Sequence, residues 1–269
     1  MSAIESRAPS RVGFFTDTTL CIGCKACEVA CKEWNELPAT DMEFTATSYD
    51  NTAALGATTW RHVAFIEQRR DPTTAGADGT HGMRWLMSSD VCKHCSNAAC
   101  LDVCPTGALF RTEFGTVVVQ QDICNGCGYC VSACPFGVID RRLDTGTAAK
   151  CTMCYDRLRA DAQPACATAC PTRSIQFGPL DELRRHAAER VEQLHGRGVS
   201  EARLYGADED DGIGGAGAFF LLLDEPEVYG LPPDPAATTR DLGAMWKAAA
   251  LAAGALVAGV AAAFAGGRR

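Results

Sequence analysis

The chain has 269 residues, of which 47% are hydrophobic and 22% are charged, which excludes disordered, collagen-like and low-complexity proteins. Its 16 cysteines are too many for an ordinary cytosolic enzyme, and the chain is too long to need disulfides in place of a hydrophobic core. The formal net charge is −8 and no stripe of Lys and Arg is visible, which argues against nucleic-acid binding.

The first cysteine motif lies near the N-terminus, between two short predicted elements. Residues 1–12 are polar, and we expect no regular structure there. Val12–Phe15 predicts an apolar strand that leads into the motif, and Cys27–Trp34 predicts the helical turn that follows. The motif is Cys21-x2-Cys24-x2-Cys27-x3-Cys31.

An insertion rich in Thr, Ala, Asp and Gly occupies residues 35–82. Within it we expect a strand near Trp60–Glu67 and a loop over 71–82. Met83–Met87 predicts another strand, which leads to the second motif. This motif is Cys92-x2-Cys95-x4-Cys100-x3-Cys104, followed by Pro105.

The third and fourth motifs follow at short intervals. Ala108–Arg111 and Thr116–Gln120 predict a hairpin around Glu113-Phe114-Gly115. Tyr155–Asp161 predicts a helix inside the fourth motif. The third motif is Cys124-x2-Cys127-x2-Cys130-x3-Cys134, and the fourth is Cys151-x2-Cys154-x11-Cys166-x3-Cys170, each followed by a proline.

The region after the fourth motif contains one long predicted helix among strands and loops. Asp181–His195 is amphipathic, with Asp181 as its expected N-cap and Gly196 as its stop signal. The other predicted elements are a strand at Ser174–Phe177, an acidic loop at Ala207–Gly217, a buried strand at Ala218–Leu223 and a turn at Leu231–Pro235.

The spacing within the motifs is typical of iron–sulfur proteins. The first and third motifs match the C-x2-C-x2-C-x3-C run of bacterial ferredoxins. Three cysteines at two-residue gaps let a loop curl around a cubane, whereas the fourth cysteine points away and reaches a neighbouring cluster. Sixteen thiolates, at four per cubane, predict four [4Fe–4S] clusters that form an electron relay.

Other uses of cysteine fit this spacing less well. Structural zinc needs two C-x2-C pairs per ion and no third cysteine two residues further on. Cysteines at two-residue gaps in one loop do not reach disulfide geometry, and a thioredoxin-like dithiol needs a single C-x2-C. A zinc-organised scaffold protein remains the alternative from a different functional class, and metal analysis separates the two.

Two pairings of the motifs are open. The second and third motifs are close in sequence and form one ferredoxin-like unit, which leaves the first and fourth to form the other; the alternative pairs the first with the second and the third with the fourth. We call the first of these the nested pairing, because the outer motifs enclose the inner ones in sequence. It predicts four ligand sets: Cys21, Cys24, Cys27 and Cys170; Cys31, Cys151, Cys154 and Cys166; Cys92, Cys95, Cys100 and Cys134; Cys104, Cys124, Cys127 and Cys130.

Several charged or polar residues adjoin the ligands. We expect His94 to form a hydrogen bond near a cluster and not to bind iron, because four thiolates already satisfy each cubane. Lys25, Lys93 and Lys150 each lie beside a cysteine, where a cation would raise the reduction potential of the cluster. A solvated surface position is the alternative for these lysines.

The C-terminal segment predicts a membrane span. Ala248–Gly267 is free of charged and polar side chains, and its length of about 30 Å matches the hydrocarbon core of a bilayer. Trp246 and Lys247 adjoin one end, and Arg268 with Arg269 the other. A soluble Ala-rich helix is the alternative. The terminal Arg pair favours a cytoplasmic C-terminus with the cluster domain on the outer face.

The motifs, their order and the C-terminal segment together resemble the iron–sulfur (beta) subunits of membrane-bound formate dehydrogenases. The resemblance also includes Cys21–Asn35, Cys124–Asp140 and Val228–Pro233. It implies the nested pairing, and electron flow from the Cys21 cluster through the Cys31 and Cys92 clusters to the Cys104 cluster at the membrane.

The same resemblance implies two protein partners. These are a catalytic (alpha) subunit with a molybdenum or tungsten pterin centre and a b-type cytochrome (gamma) subunit in the cell membrane. Residues 1–20 lack an apolar signal segment, so we expect export together with the catalytic partner. Similar subunits serve dimethyl sulfoxide, polysulfide and nitrate reductases, which are the alternative complexes.

We therefore predict an α+β fold with two ferredoxin-like 2[4Fe–4S] units, inserted strands and one C-terminal transmembrane helix. The expected divisions are residues 1–90 with 136–180 for the first unit, 91–135 for the second, 181–243 for a helix, strand and linker region, and 244–267 for the span.

Overall fold

The structure, a computed structural model, describes residues 11–39, 49–50, 52–69 and 82–266. Most of the predicted loop over 71–82, and nearly all of residues 1–12, lie outside the described residues. The described chain mixes helices and strands, which confirms the α+β prediction.

The strands are β1 (Val12–Asp17), β2 (Arg61–Arg69), β3 (Met83–Val91), β4 (Leu109–Arg111), β5 (Val117–Val119), β6 (Asp140–Arg141), β7 (Ala148–Ala149), β8 (Ile175–Pro179), β9 (Arg203–Tyr205) and β10 (Ala218–Leu222). The helices are α1 (Ala26–Trp34), α2 (Ala99–Asp102), α3 (Tyr129–Ala133), α4 (Tyr155–Arg159), α5 (Ala165–Thr168), α6 (Leu180–Gly196) and α7 (Leu242–Gly266).

A four-stranded sheet joins the two ends of the cysteine-rich region. Its strand order is β8–β1–β10–β9, with β1 parallel to β10 and the two outer strands antiparallel to their neighbours. All five residues of β10 are buried. Its uninterrupted apolar sequence follows from this position, because a strand covered on both faces needs no polar alternation.

The two faces of this sheet contact different parts of the protein. On one face, Leu183 and Ala187 of α6 pack against Phe15 and Phe219, whose stacked rings have centroids 5.3 Å apart. On the other face, Phe14 belongs to a core that includes cysteines of the first, second and fourth motifs. Since adjacent residues of a strand point to opposite faces, β1 connects the helical layer to the cysteine-bearing layer.

Short helices pack in pairs beneath the cysteine motifs. α1 packs against α5, and α2 packs against α3. These pairs bring the first motif next to the fourth and the second next to the third. The small hairpins β4–β5 and β6–β7 complete the core around the second and third motifs.

The insertion contributes a long hairpin, β2–β3, that is regular from the pair Arg61–Val91 to the pair Arg69–Met83. Both strands were predicted, but each extends further than the sequence indicates. β3 continues through Ser88 and Ser89, two polar residues that are nevertheless buried. Polar side chains can occupy such positions when they have hydrogen-bond partners, and Ser89 contacts both Arg61 and Cys27.

The prediction that Asp181 caps α6 is wrong. The helix begins at Leu180 with Pro179 at the N-cap, so Asp181 lies in the first turn and forms no cap hydrogen bond. The reason is that β8 leads directly into the helix, and the Leu180 amide donates to the Arg11 carbonyl at 2.8 Å. The helix ends at Gly196, as predicted.

The C-terminal helix α7 projects from the folded part of the protein. It starts a few residues before the predicted span, and its side chains are exposed from Leu242 to Ala265. In the part of the sequence that the structure describes, it is the one helix long and apolar enough to cross a membrane.

Candidate iron–sulfur sites

The ferredoxin-type motifs have the local geometry that their spacing predicts. In the first motif, Cys21 and Cys24 lie in the loop before α1, whereas Cys27 and Cys31 lie on the helix, one turn apart. In the third motif, Cys124 and Cys127 also precede the helix and Cys130 lies on α3, but Cys134 follows the helix as its C-cap. All sixteen cysteines are free thiols, and Cys24 and Cys127 are exposed.

Thiols of the first and fourth motifs lie close enough to influence one another. Burial raises the pKa of Cys21, and the thiolates of Cys170 and Cys24 raise it further. Burial also raises the pKa of Cys31 to about 12, with the thiolate of Cys166 as the next cause. The pairs Cys21–Cys170 and Cys31–Cys166 thus join residues that are distant in sequence.

Thiols of the second and third motifs share a cavity. Cys92, Cys95, Cys100 and Cys134 all line it, together with apolar side chains and the polar residues Lys93, His94, Asn97 and Lys150. Burial raises the pKa of Cys95 well above its ordinary value, and the thiolates of the other three raise it further. Four thiols around one enclosed space form the donor set that a [4Fe–4S] cluster requires.

A further group of thiols surrounds Cys130 on α3. Burial raises the pKa of Cys130 to about 11, and the next causes are the thiolates of Cys124, Cys127 and Cys104. Cys104 belongs to the second motif and the other three to the third. This group is therefore also shared between motifs.

Hydrogen-bond donors point at several sulfur atoms. The backbone amide of Met153 donates to Cys151 Sγ at 3.3 Å, and the amide of Ala148 donates to Cys124 Sγ at 3.3 Å. Such donors favour the thiolate, the form that binds iron. Among the described residues, no three His, Cys, Asp or Glu side chains lie close enough together to hold a single metal ion. The donors present, thiolates with backbone N–H groups nearby, fit iron–sulfur clusters.

His94 is buried among the ligands of the second motif. Its Nδ1 accepts a hydrogen bond from the Val117 amide at 3.0 Å. Burial, followed by the charges of Lys150 and Arg11, lowers the pKa of His94 well below its ordinary value, so the ring is neutral. Its Nε2 has no hydrogen-bond partner among the described residues and carries the proton. The ring therefore acts as a hydrogen-bonding residue, as expected.

Two of the three lysines beside the cysteines are buried. Lys93 and Lys150 have exposed fractions of 1% and 2%, so a solvated surface position is wrong for both. Lys25 is partly exposed and forms an ion pair with Glu28 at 3.4 Å.

Arg61 is a buried cation that the cysteine motifs do not indicate. Its Nη2 donates to Cys166 Sγ at 3.3 Å, its Nη1 donates to the Ser89 carbonyl at 3.2 Å, and its guanidinium lies 4.9 Å from the Phe14 ring centroid. Burial opposes its charge, but four nearby thiolates together outweigh burial and raise the pKa of Arg61; they are those of Cys166, Cys27, Cys151 and Cys31. A lone arginine at the start of an insertion strand gives no sequence signal for this role.

Comparison with known proteins identifies the cysteine region. Two family profiles, both described as a 4Fe–4S dicluster domain, match residues 20–108 and residues 83–180. Together they include all sixteen cysteines. The protein therefore contains [4Fe–4S] cluster domains.

Relatives extend the similarity over most of the sequence. The iron–sulfur subunit of nitrate-inducible formate dehydrogenase from Escherichia coli (strain K12) is 37% identical over 244 residues, which is 89% of this chain and 78% of the relative. The formate dehydrogenase iron–sulfur subunit of Haemophilus influenzae is 38% identical over 81% of this chain and 68% of its own length. One subunit of the anaerobic dimethyl sulfoxide reductase of E. coli is 35% identical over 65% of this chain and 77% of its own length.

These matches combine a shared cysteine pattern with similarity that extends beyond the cysteine motifs. The chain belongs to the family of iron–sulfur subunits of formate dehydrogenases.

Proposed function

We propose that this protein is the electron-transfer subunit of a formate dehydrogenase complex. It relays electrons through four [4Fe–4S] clusters from a catalytic subunit with a molybdenum or tungsten pterin centre to a membrane cytochrome b. The observation that carries the proposal is that free thiols of different motifs lie close together, around Cys21, Cys31, Cys95 and Cys130.

The nested assignment of ligands is part of the proposal. Thiolates of the fourth motif raise the pKa of Cys21 and Cys31, which belong to the first motif. Thiolates of the second and third motifs together raise the pKa of Cys95 and Cys130. The packing of α1 on α5 and of α2 on α3 supports the same division. Residues 1–90 with 136–180 would then form one ferredoxin-like unit, and residues 91–135 the other.

The clusters supply one-electron redox chemistry, and the protein determines where each electron can enter and leave. Cys24 and Cys127, the exposed cysteines of the first and third motifs, belong to different proposed clusters. Half of the other fourteen cysteines are buried and the rest are partly buried, which limits the access of water to the interior of the relay. We propose that electrons enter near Cys24 and leave near Cys127.

Helix α7 is the basis for proposing how the protein is attached to the membrane and on which side of it the clusters lie. Its exposed apolar surface fits a single membrane span packed against the cytochrome subunit, since small side chains allow close helix contact. Arg268 and Arg269, which follow this helix, favour a cytoplasmic C-terminus with the clusters on the outer face.

Formate is the first choice of substrate for the catalytic partner because the similarity to formate dehydrogenase subunits spans 89% of this chain. The similarity to the dimethyl sulfoxide reductase subunit, at 65% of this chain, makes that complex the second candidate. Purification from native membranes, with dye-reduction assays using formate and dimethyl sulfoxide, separates them. Anaerobic iron and sulfide analysis of the same material excludes a zinc scaffold.

The direction of electron flow is tested by comparing two exposed ligands. In Cys127→Ala, we expect formate to reduce the other clusters while electron transfer to quinone is lost, because only the exit is removed. In Cys24→Ala, we expect the remaining clusters to stay oxidised with formate, because the entry is removed. Electron paramagnetic resonance of formate-treated complexes measures both. Formate reduction of the remaining clusters in Cys24→Ala would show that electrons do not enter there.

A further inference from the structure

Two buried lysines adjoin cysteine ligands, but their surroundings differ. Lys93 pairs with Asp90 and also donates to the Val91 carbonyl at 2.9 Å. Its Nζ lies 5.1 Å from the Phe136 ring centroid and 5.0 Å from that of Phe220. The carboxylate of Asp90 therefore balances the charge of Lys93 within the same small region.

Lys150 has no such carboxylate. Its Nζ donates to the Val117 carbonyl, to the Cys151 carbonyl at 3.0 Å and to Cys92 Sγ at 3.5 Å. The two carbonyls are neutral, and among the described residues no Asp or Glu forms an ion pair with this lysine. The anionic thiolates, with the clusters they bind, are thus its counter-charge.

The position of Lys150 also links two sites. Cys92 and Cys151 belong to different ligand sets under the nested assignment, on which this inference rests. In the proposed order of electron transfer, these two clusters are in the middle of the relay, where the Cys151 cluster passes an electron to the Cys92 cluster. Lys150 is buried within the protein, so solvent screens its charge little.

We infer that Lys150 is the shared internal counter-cation of the Cys92 and Cys151 clusters and raises the reduction potentials of both. Each cluster gains one electron on reduction and becomes more negative, and a fixed positive charge nearby stabilises that reduced form. No bond forms or breaks, because the step only moves an electron between neighbouring clusters. The Lys93–Asp90 pair contributes little, since its two charges cancel at a distance.

The test is a potentiometric titration of the purified complex, monitored by electron paramagnetic resonance. The two cluster signals are assigned as those lost in Cys92→Ala and Cys151→Ala. In Lys150→Met, we expect the ratio of reduced to oxidised cluster at a fixed ambient potential to fall about tenfold for both, about 59 mV for a one-electron couple. Lys150→Arg, which keeps the charge, is expected to restore potentials close to those of the unaltered protein.

The matched control is the double variant Asp90→Asn with Lys93→Met. It also removes a buried lysine beside a ligand, but it preserves the net charge of the site, so we expect both potentials to stay near their original values. If Lys150→Met fails to assemble, Lys150→Gln carries the same expectation, because its amide can still donate to a carbonyl.

The outcomes separate this inference from the proposed function. Unchanged potentials in Lys150→Met and Lys150→Gln, with iron and sulfide content intact, would overturn the role of Lys150 and leave the proposed relay unaffected. An equally large shift in the double variant would also overturn it. A complex without iron and sulfide would instead overturn the relay itself.

Discussion

Gly126 lies between two cysteines of the third motif. Its backbone conformation and a close neighbouring carbonyl both exclude residues that have a side chain. Its φ is +72°, and a Cβ atom there would lie 2.6 Å from the carbonyl oxygen of Gly146. Gly146 lies in the turn between β6 and β7, where its amide donates to the Arg142 carbonyl at 2.9 Å, so its own carbonyl cannot move aside easily. We therefore expect Gly126→Ala to distort the loop and to reduce the iron content by about one cluster, measured by iron and sulfide analysis.

Substitution of a second glycine, Gly107, shows the effect of backbone strain without the steric clash. Gly107 has a φ of +69°, almost the same as that of Gly126, but a Cβ atom there would meet open space. Strain alone costs about 1 kcal/mol or somewhat more. Gly107→Ala is thus expected to lower stability slightly and to retain full iron content. Equal iron loss in the two variants would mean that strain, and not the contact with Gly146, controls cluster assembly.

The sequence indicates the candidate ligands but not the residues that surround them. Cysteine spacing is a local pattern, so all sixteen candidate ligands could be named from it. The burial of Lys150 depends on packing against residues elsewhere in the protein, and Arg61 contacts Cys166 across 105 positions. Local patterns contain no information about such contacts. For this reason the sequence does not show whether the lysines are buried or exposed, and it gives no indication that Arg61 contacts a cysteine.

At the scale of elements, β10 is the centre of the sheet on which the cysteine layer rests. Phe219 is fully buried and stacks on Phe15 under the cover of α6. Replacing a buried Phe by Ala removes its apolar contacts and leaves a cavity, which typically costs about 3–5 kcal/mol. We expect Phe219→Ala to lower the apparent unfolding temperature clearly, as measured by thermal denaturation under anaerobic conditions.

Leu143→Ala is the matched control for this change, because Leu143 is a large apolar residue that is fully exposed between β6 and β7. It has no packing to lose, so its unfolding temperature is expected to match that of the unaltered protein. An equal decrease in both variants would show that the sheet around β10 does not limit stability.

Most elements were predictable, whereas their pairing was not. Periodicity and turn residues predict β1, the β4–β5 hairpin and α6 because these patterns are local. The parallel pairing of β1 with β10 joins Phe14 to Ala218, more than 200 positions apart, and no local pattern encodes it. The start of α6 was also misplaced, because the connection from β8 and the bond to Arg11 replace a side-chain cap.

At the scale of the whole molecule, the ends of the cysteine-rich region meet. β1 precedes the first motif, β8 follows the fourth, and the two strands pair directly from Val12–Pro179 to Thr16–Ile175. This closure brings the outer motifs together, with the middle motifs enclosed between them in sequence. The nested pairing that motif spacing favours is compatible with this topology. The order in which the four proposed clusters pass electrons depends on where the partner subunits bind.

The last prediction concerns α7, which is apolar and exposed and therefore contributes little to the folded core. Deleting residues 242–269 is expected to release the complex from washed membranes while the iron content per subunit stays unchanged, because the cysteine layers do not depend on this helix. Replacing the helix by an unrelated apolar helix of equal length is the control, and it is expected to keep the complex in the membrane fraction. Tight membrane association of the truncated complex would mean that another surface or subunit provides the anchor, and loss of iron would mean that α7 supports the fold.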